Sequence, residues 1–189
     1  MPCESQIRQV LDRISQSLGL AALGARLSGR SDPVEPRTSN HSSPLVAFHC
    51  HDGHDHAGRH HRVILAFDDD AMHELHDFIQ WLFPLPEPSR AFHAAPVLSQ
   101  DDLAVMRASA VCQARLAAAR ARMTEFLNAN PVWLQAYDHN HLRITRMIRS
   151  TRLIAGDEAA DDVRDYFLHR ARSTFAPINP TTLAFWANA

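Results

Sequence analysis

The chain has 189 residues and a formal net charge of −2, and 46% of its residues are apolar. This length suits one compact domain with an appended segment, and the composition excludes a wholly disordered chain. The apolar runs, such as residues 63–67, are far shorter than the ~20 residues that cross a bilayer, so no membrane span is predicted.

The basic residues and the cysteines indicate the source and the compartment. All 19 basic residues are arginine, which we take as the mark of a GC-rich, bacterial genome. Cys3, Cys50 and Cys112 are widely and irregularly spaced, so the sequence predicts neither a disulfide framework nor a paired zinc signature. The N-terminus also lacks the pattern of a secretory signal. These observations predict a reduced, cytoplasmic location.

The first 44 residues are predicted to be an appendage. Apolar residues recur at three- and four-residue spacing over residues 5–18, which is typical of an amphipathic helix that runs to about residue 27. Residues 28–44 are rich in Ser, Pro and Arg, which indicates a flexible linker. The helix needs a partner surface: it can dock on the main domain or pair two copies into a homodimer.

Residues 45–189 are predicted to form one compact all-α domain, because no pair of alternating strands joined by a turn occurs. Asp70 is a candidate cap for a helix over residues 71–83, which stops at Pro84. Ser99 with Asp102 starts a long helix to about residue 127. Further helices are predicted from Pro131, over residues 141–154 with Asn140 as cap and Gly156 as stop, over residues 158–174, and after Pro180.

The predicted helix over residues 71–83 carries a polar patch beside its apolar stripe. His76, Asp77, Gln80 and Trp81 lie within the three- and four-residue reach at which helical side chains meet. An ordinary solvated face is one interpretation. Because tryptophan usually seeks burial, partial burial of the patch is the favoured one.

The predicted helix over residues 141–154 places two arginines at the border of its apolar stripe. The planar donor fork of Arg143 suits a carboxylate or phosphate, and its apolar neighbours predict that it is desolvated and paired. Asp77 is a candidate mate. The alternatives are a structural ion pair between two helices, and an anion-binding pocket that Arg143 and Arg146 form with side chains of the other helix.

The tract over residues 49–61 contains six His, two Asp and one Cys, all of which can bind metals. The candidate ligands are His51, His54 and His56, with His73 from the neighbouring helix. The one cofactor that these residues favour is a transition-metal ion (zinc, copper, nickel or iron). Their spacing matches no defined closed site, so a solvated His-rich loop is the alternative.

Other chemistries have weaker signals. The sequence has no P-loop, no dinucleotide fingerprint and no Gly-x-Ser-x-Gly nucleophile motif, so nucleotide cradles are unsupported. Residues 103–156 contain eight arginines and two acidic residues, a balance that attracts nucleic acid. Acidic residues in the next helix can satisfy these arginines, so nucleic acid is not favoured as a partner.

Two blocks of the sequence resemble a known family. The string HDFIQWLFPL at residues 76–85, followed by EPS at residues 87–89, closely resembles the signature of the opioid growth factor receptor conserved region. The string NHLRITRMIRS at residues 140–150 resembles a later motif of that family. Residues 55–59 and 166–167 are similar to its entry segment and downstream helix, so the resemblance spans about residues 45–175.

The resemblance implies a receptor or signalling role rather than catalysis. Animal proteins with this region are receptors for an enkephalin pentapeptide, are associated with the nuclear envelope membrane, and restrain proliferation. The chain resembles a bacterial-type member that has the domain without the long animal tail. His73 stands where the family carries an acidic residue, which favours a metal ligand at that position.

We therefore expect a non-catalytic helical binding domain with a polar pocket between the two motif helices, for a small anionic ligand or a peptide. The predicted pocket lining is His76, Asp77, Gln80, Trp81, Asn140, Arg143 and Arg146. The alternative is a metal-dependent enzyme that uses the His-rich tract with His73 and His76.

Overall fold

The computed structural model describes residues 42–90 and 92–189. The predicted N-terminal helix and most of the predicted linker therefore lie outside the described residues. The described helices are α1 (Pro44–Cys50), α2 (His61–Leu65), α3 (Asp69–Glu74), α4 (Ile79–Leu82), α5 (Gln100–Ala108), α6 (Ala110–Ala129), a 3-10 helix (Pro131–Leu134), α7 (Asn140–Ala155), α8 (Asp157–Ser173) and α9 (Pro180–Ala187). In these two ranges β pairing is limited to one isolated bridge between His54 and His60. The all-α prediction is confirmed.

The prediction of one continuous helix over residues 71–83 is wrong. The chain forms two short helices, α3 and α4, because Leu75 adopts extended backbone with φ −81° and ψ 135°. The carbonyl oxygens of Met72 and Leu75 accept hydrogen bonds from Arg143, at 2.7 and 2.8 Å, instead of from a following helical turn. A side chain from α7 thus fixes the point at which α3 ends.

Two of the predicted caps are also wrong. The side chain of Asp68, rather than Asp70, accepts the N–H of Ala71 at the start of α3. Asn140 is the first residue of α7, and its N–H donates to the carboxylate of Asp138 at 2.8 Å. In both places the competing Asp lies two residues earlier, and sequence spacing alone cannot rank two candidates so close together.

The long helix predicted from Ser99 is divided at Ser109. The predicted capping box of Ser99 and Asp102 starts α5. Ser109 then leaves helical geometry, with ψ 114°, and its side chain accepts the N–H of Cys112 at the start of α6. The stop at Gly156 is confirmed by its positive φ of 94°.

Cys50 and Cys112 form a disulfide that joins the end of α1 to the start of α6. The prediction of unpaired cysteines is therefore wrong. Their Cα atoms lie 4.9 Å apart but 62 positions apart in sequence, so the pairing depends on the tertiary fold. The inference of a reduced compartment, which rested on unpaired cysteines, loses its basis.

The core holds α7 in place. The apolar stripe of α7, including Ile144, Met147 and Ile148, is fully buried as predicted. On one side it packs against a cluster of large rings, in which Trp133 lies 5.3 Å from Phe167 between ring centroids. The opposite border of α7 carries Arg143 and Arg146 toward α3 and α4. Within the described ranges, no helix is both long enough and apolar enough to cross a membrane.

Candidate functional site

Arg143 is buried, and its side chain donates hydrogen bonds to three acceptors within the protein. One terminal nitrogen donates to the carbonyl of Met72 at 2.7 Å and to the side chain of Asn140 at 3.3 Å, and the other donates to the carbonyl of Leu75 at 2.8 Å. Its guanidinium carbon lies 5.7 Å from the Phe78 ring centroid. Burial lowers the pKa of Arg143 to about 10. The predicted desolvation is present, and the mates are main-chain carbonyls rather than a carboxylate.

Arg146 has a similar arrangement one turn further along α7. Its Nε donates to the carbonyl of Phe83 at 2.7 Å, beyond the end of α4. Burial lowers its pKa to about 10, and this change outweighs the opposite effect of Glu87. The two arginines therefore fasten α7 to α3 and α4 through main-chain oxygens. An anion at this place would compete with these hydrogen bonds.

Asp77 pairs with the loop before α2 rather than with Arg143. One of its carboxylate oxygens lies 3.0 Å from Nε2 of His56, and the other lies 3.0 Å from a guanidinium nitrogen of Arg59. Arg59 also bonds Asp55 at 2.6 Å, and the Asp55 carboxylate accepts two main-chain N–H groups of its own loop. The loop is thus folded around Asp55 and delivers two side chains to Asp77.

Trp81 on α4 lies beneath this loop, and Gln80 is the residue before it on the same helix; they are 5% and 4% exposed. The His56 ring stacks on the Trp81 indole with centroids 6.3 Å apart and planes 19° apart. The Gln80 amide nitrogen donates to Ser89 at 3.4 Å. The amide oxygen of Gln80 and the indole nitrogen of Trp81 have no hydrogen-bond partner among the described residues. An acceptor and a donor on one helical turn are therefore buried without partners.

We call these side chains the Trp81 cluster: Asp55, His56, Arg59, Asp77, Gln80 and Trp81. The cluster contains two carboxylates, one guanidinium and one imidazole. The sequence pattern predicted Asp77, Gln80 and Trp81 as site residues, whereas His56 was predicted as a metal ligand and Arg59 was not predicted. The available signal was the similarity of residues 55–59 to the family's entry segment.

The remaining predicted pocket residues lie apart from the Trp81 cluster. Asn140 is fully buried beside Arg143. His76 is exposed, and one of its ring nitrogens lies 2.6 Å from the carbonyl of Glu74. Its ring is 5.2 Å from that of His139. The predicted set is therefore divided among two arginine anchors, an exposed histidine and the Trp81 cluster.

The predicted metal ligands are also dispersed. His51 is exposed after α1, the His54 ring lies 6.2 Å from that of His60, and His56 stacks on Trp81. The His73 ring lies 5.2 Å from that of His139. Over residues 42–90 and 92–189, no three His, Cys, Asp or Glu side chains are arranged to hold a metal ion. The metal site therefore stays a prediction without geometric support.

Comparisons with known proteins identify the region that contains three of the six residues of this cluster. Residues 61–132 match the family described as "Opioid growth factor receptor (OGFr) conserved region". The opioid growth factor receptors of Rattus norvegicus and Mus musculus are each 33% identical over 99 residues, which cover 43% of this chain and 17% and 16% of theirs. No solved structure matches the chain.

The matched range includes the first motif block and α4, whereas the second block at residues 140–150 lies beyond it. The chain spans about one sixth of the length of the rat and mouse relatives. The family resemblance predicted from the sequence is confirmed: residues 61–132 belong to the opioid growth factor receptor conserved region family.

Proposed function

We propose that this chain is a non-catalytic binding domain that takes the amino-terminal end of a peptide at the Trp81 cluster. The rat and mouse relatives are named as receptors for opioid growth factor. Because the match covers only about one sixth of their length, their name supports a binding role but does not identify the ligand here. The peptide ligand is inferred from the cluster itself.

The observation that carries the proposal is a pair of buried atoms, Gln80 Oε1 and Trp81 Nε1, that find no hydrogen-bond partner within residues 42–90 and 92–189. Each such atom costs about 1–3 kcal/mol when it stays unsatisfied. A peptide group has one N–H donor and one C=O acceptor, which complement this acceptor and this donor. A ligand with peptide groups therefore gains free energy by supplying both.

The charge of the cluster favours a peptide amino terminus over an anion. Two carboxylates share one guanidinium, so the cluster attracts an ammonium group. The arginines on which the predicted small anionic ligand depended, Arg143 and Arg146, already donate to carbonyl oxygens. The peptide alternative is therefore the one we retain at this site.

Access requires movement of one side chain. Gln80 Oε1 and Trp81 Nε1 are shielded from solvent, and the His56 ring, about 30% exposed, lies over the indole. The loop of residues 51–60 carries this ring. We propose that the ring swings aside when a peptide binds.

The test uses an array of pentapeptides with free amino termini, enkephalin included, followed by calorimetry on the peptides that bind. We expect Trp81→Phe, which keeps an aromatic ring but removes the indole N–H, and Asp77→Asn to weaken binding at least tenfold. Acetylation of the peptide amino terminus should have the same effect. Asp101→Asn, at an exposed carboxylate on α5, is the matched control and should leave Kd unchanged. The proposal is overturned if no peptide binds, or if Trp81→Phe and Asp77→Asn bind as the wild type does.

The cytoplasmic location predicted from the sequence stays a proposal, and the disulfide between Cys50 and Cys112 speaks against it, because disulfides persist mainly in oxidising compartments. Trapping thiols with an alkylating agent at the moment of cell lysis tests it. Alkylation of both cysteines supports the cytoplasm, and protection of both supports an oxidising compartment.

A further inference from the structure

A groove of about 530 Å³ lies between α2 and the first half of α6. Its volume lies within the range of small-molecule sites, about 300–1,000 Å³. Its apolar wall consists of Leu65, Ala110, Val111, Ala114 and Ala118, and its polar members are Asp52, Gly53, His60, His61, Arg62 and Arg115. None of these residues belongs to the Trp81 cluster.

Arg115 gives one end of the groove an uncompensated positive charge. One of its terminal nitrogens donates to the carbonyls of Phe48, at 2.9 Å, and His51. Arg115 has no carboxylate partner in the part of the chain that the structure describes. Arg62, by contrast, is paired with Asp52 at 3.1 Å. An anion placed at Arg115 would therefore neutralise a charge for which the described residues supply no carboxylate.

His61 provides an independent sign of a ligand at the same end. It is 4% exposed, lines the groove, and its Nε2 has no hydrogen-bond partner among the described residues. Burial, together with the nearby His49 and Arg115, lowers the pKa of His61 to about 3, so the ring is neutral at pH 7. A neutral imidazole can donate one hydrogen bond to an anion that Arg115 attracts.

We propose that this groove binds a small amphipathic carboxylate, with its carboxylate group at Arg115 and its apolar body along the alanine-lined face of α6. An inorganic anion would leave that apolar wall exposed to water, and a neutral hydrocarbon would leave Arg115 unpaired. A ligand with both parts satisfies both ends of the groove. The site is separate from the Trp81 cluster and does not depend on peptide binding there.

The probe is sodium decanoate, measured by calorimetry below its micelle-forming concentration. Acetate has the charge without the apolar body, and decanol has the apolar body without the charge. We expect decanoate to bind at least tenfold more tightly than either. This comparison tests the charge without a change at Arg115, whose replacement would also release the carbonyls of Phe48 and His51.

A filled groove is the second arm of the test. Ala114 is exposed on the groove wall, so Ala114→Trp should occupy the site and weaken decanoate binding at least tenfold. Ala129→Trp, at an exposed position at the far end of α6, is the matched control and should keep the wild-type Kd. The proposal is overturned if decanoate does not bind, if decanol binds as tightly, or if Ala114→Trp binds normally. Trp81→Phe should not affect decanoate binding, which separates this result from that of the peptide test.

Discussion

The partners of individual arginines are determined by which hydrogen-bond acceptors the fold leaves without another donor. The sequence predicted that Arg143 is desolvated and paired, and it is 4% exposed with three acceptors. The nature of those acceptors could not be predicted, because two of them are carbonyls that become available only where α3 ends. Asp77, the predicted mate, lies beyond this break and meets Arg59 instead.

Removal of the Arg143 guanidinium should lower the stability of the protein. In Arg143→Met the carbonyl oxygens of Met72 and Leu75 each lose the hydrogen bond that Arg143 donates. Each loss should cost about 1–3 kcal/mol of stability. We expect the free energy of unfolding, measured by urea denaturation, to fall by several kcal/mol. Arg149→Met is the matched control on the same helix and should change stability by about 1 kcal/mol or less, because its pair with Glu87 is at the surface. Equal effects of the two substitutions would refute the anchoring role.

Two buried histidines should make the protein less stable in mild acid. Burial lowers the pKa of His49 from 6.5 to about 4 and that of His61 from 6.5 to about 3. Below pH 6.5 the unfolded chain binds protons that the folded chain excludes, so stability is lost as the pH falls from 6.5 toward 4. Each histidine contributes a slope of up to about 1.4 kcal/mol per pH unit.

The measurement is urea denaturation at several pH values between 7 and 4 for the wild type and His61→Phe. The unfolded variant has no imidazole at position 61 to bind a proton. Its free energy of unfolding should therefore fall less steeply with decreasing pH, by up to about 1.4 kcal/mol per pH unit. Asp69 and Glu87 have lowered pKa values because of their arginine partners, so their contributions are lost only at lower pH. The same slope in both proteins would show that His61 titrates normally.

At the scale of elements, the sequence located helical segments better than helix ends. The stripe of α7, its stop at Gly156 and the capping box of α5 follow from local periodicity and side-chain chemistry, and all three are present. The breaks at Leu75 and Ser109 were missed. The helical periodicity of the sequence continues through both positions. Near Leu75, Arg143 of α7 donates to the carbonyl oxygens that would otherwise accept hydrogen bonds from the next helical turn.

Ser109 should be required for the start of α6. Its side chain accepts the N–H of Cys112, and loss of such a cap costs about 0.5–2 kcal/mol. We expect Ser109→Ala to lower the free energy of unfolding by about 1 kcal/mol and Ser109→Asp to retain most of it. Ser173→Ala, at the exposed end of α8, should have no measurable effect. If Ser109→Ala is as stable as the wild type, α5 and α6 tolerate fusion into one helix.

At the scale of the whole molecule, the disulfide and the assembly of the Trp81 cluster depend on contacts that sequence spacing does not record. Cys50 meets Cys112 across 62 positions, and His56 meets Trp81 through a loop folded around Asp55. The motif blocks were nevertheless sufficient to identify the family. The residues of the two motif blocks are thus divided in space: Asp77 and Trp81 lie in the Trp81 cluster, whereas Arg143 and Arg146 do not.

Reduction of the disulfide should destabilise the fold. In the chain-entropy model, a loop of this length is worth about 4 kcal/mol. We expect a reductant to lower the free energy of unfolding of the air-oxidised wild type by about that amount. The free energy of unfolding of the double variant, Cys50→Ala with Cys112→Ala, should not change on reduction. Cys3→Ser should respond as the wild type does. Thiol titration of the oxidised protein should find one reactive thiol, and three would contradict the pairing.

The most direct measurement of the central claim is the indole N–H region of a nitrogen-15 NMR spectrum during titration with a peptide selected from the array. Trp133 and Trp186 donate to the carbonyls of Leu127 and His141 and serve as internal references. Trp81 alone among the three lacks an acceptor in the part of the chain that the structure describes. We predict that its indole signal shifts in proportion to bound peptide while the other two stay in place. A saturating titration in which the Trp81 signal does not move would contradict the account.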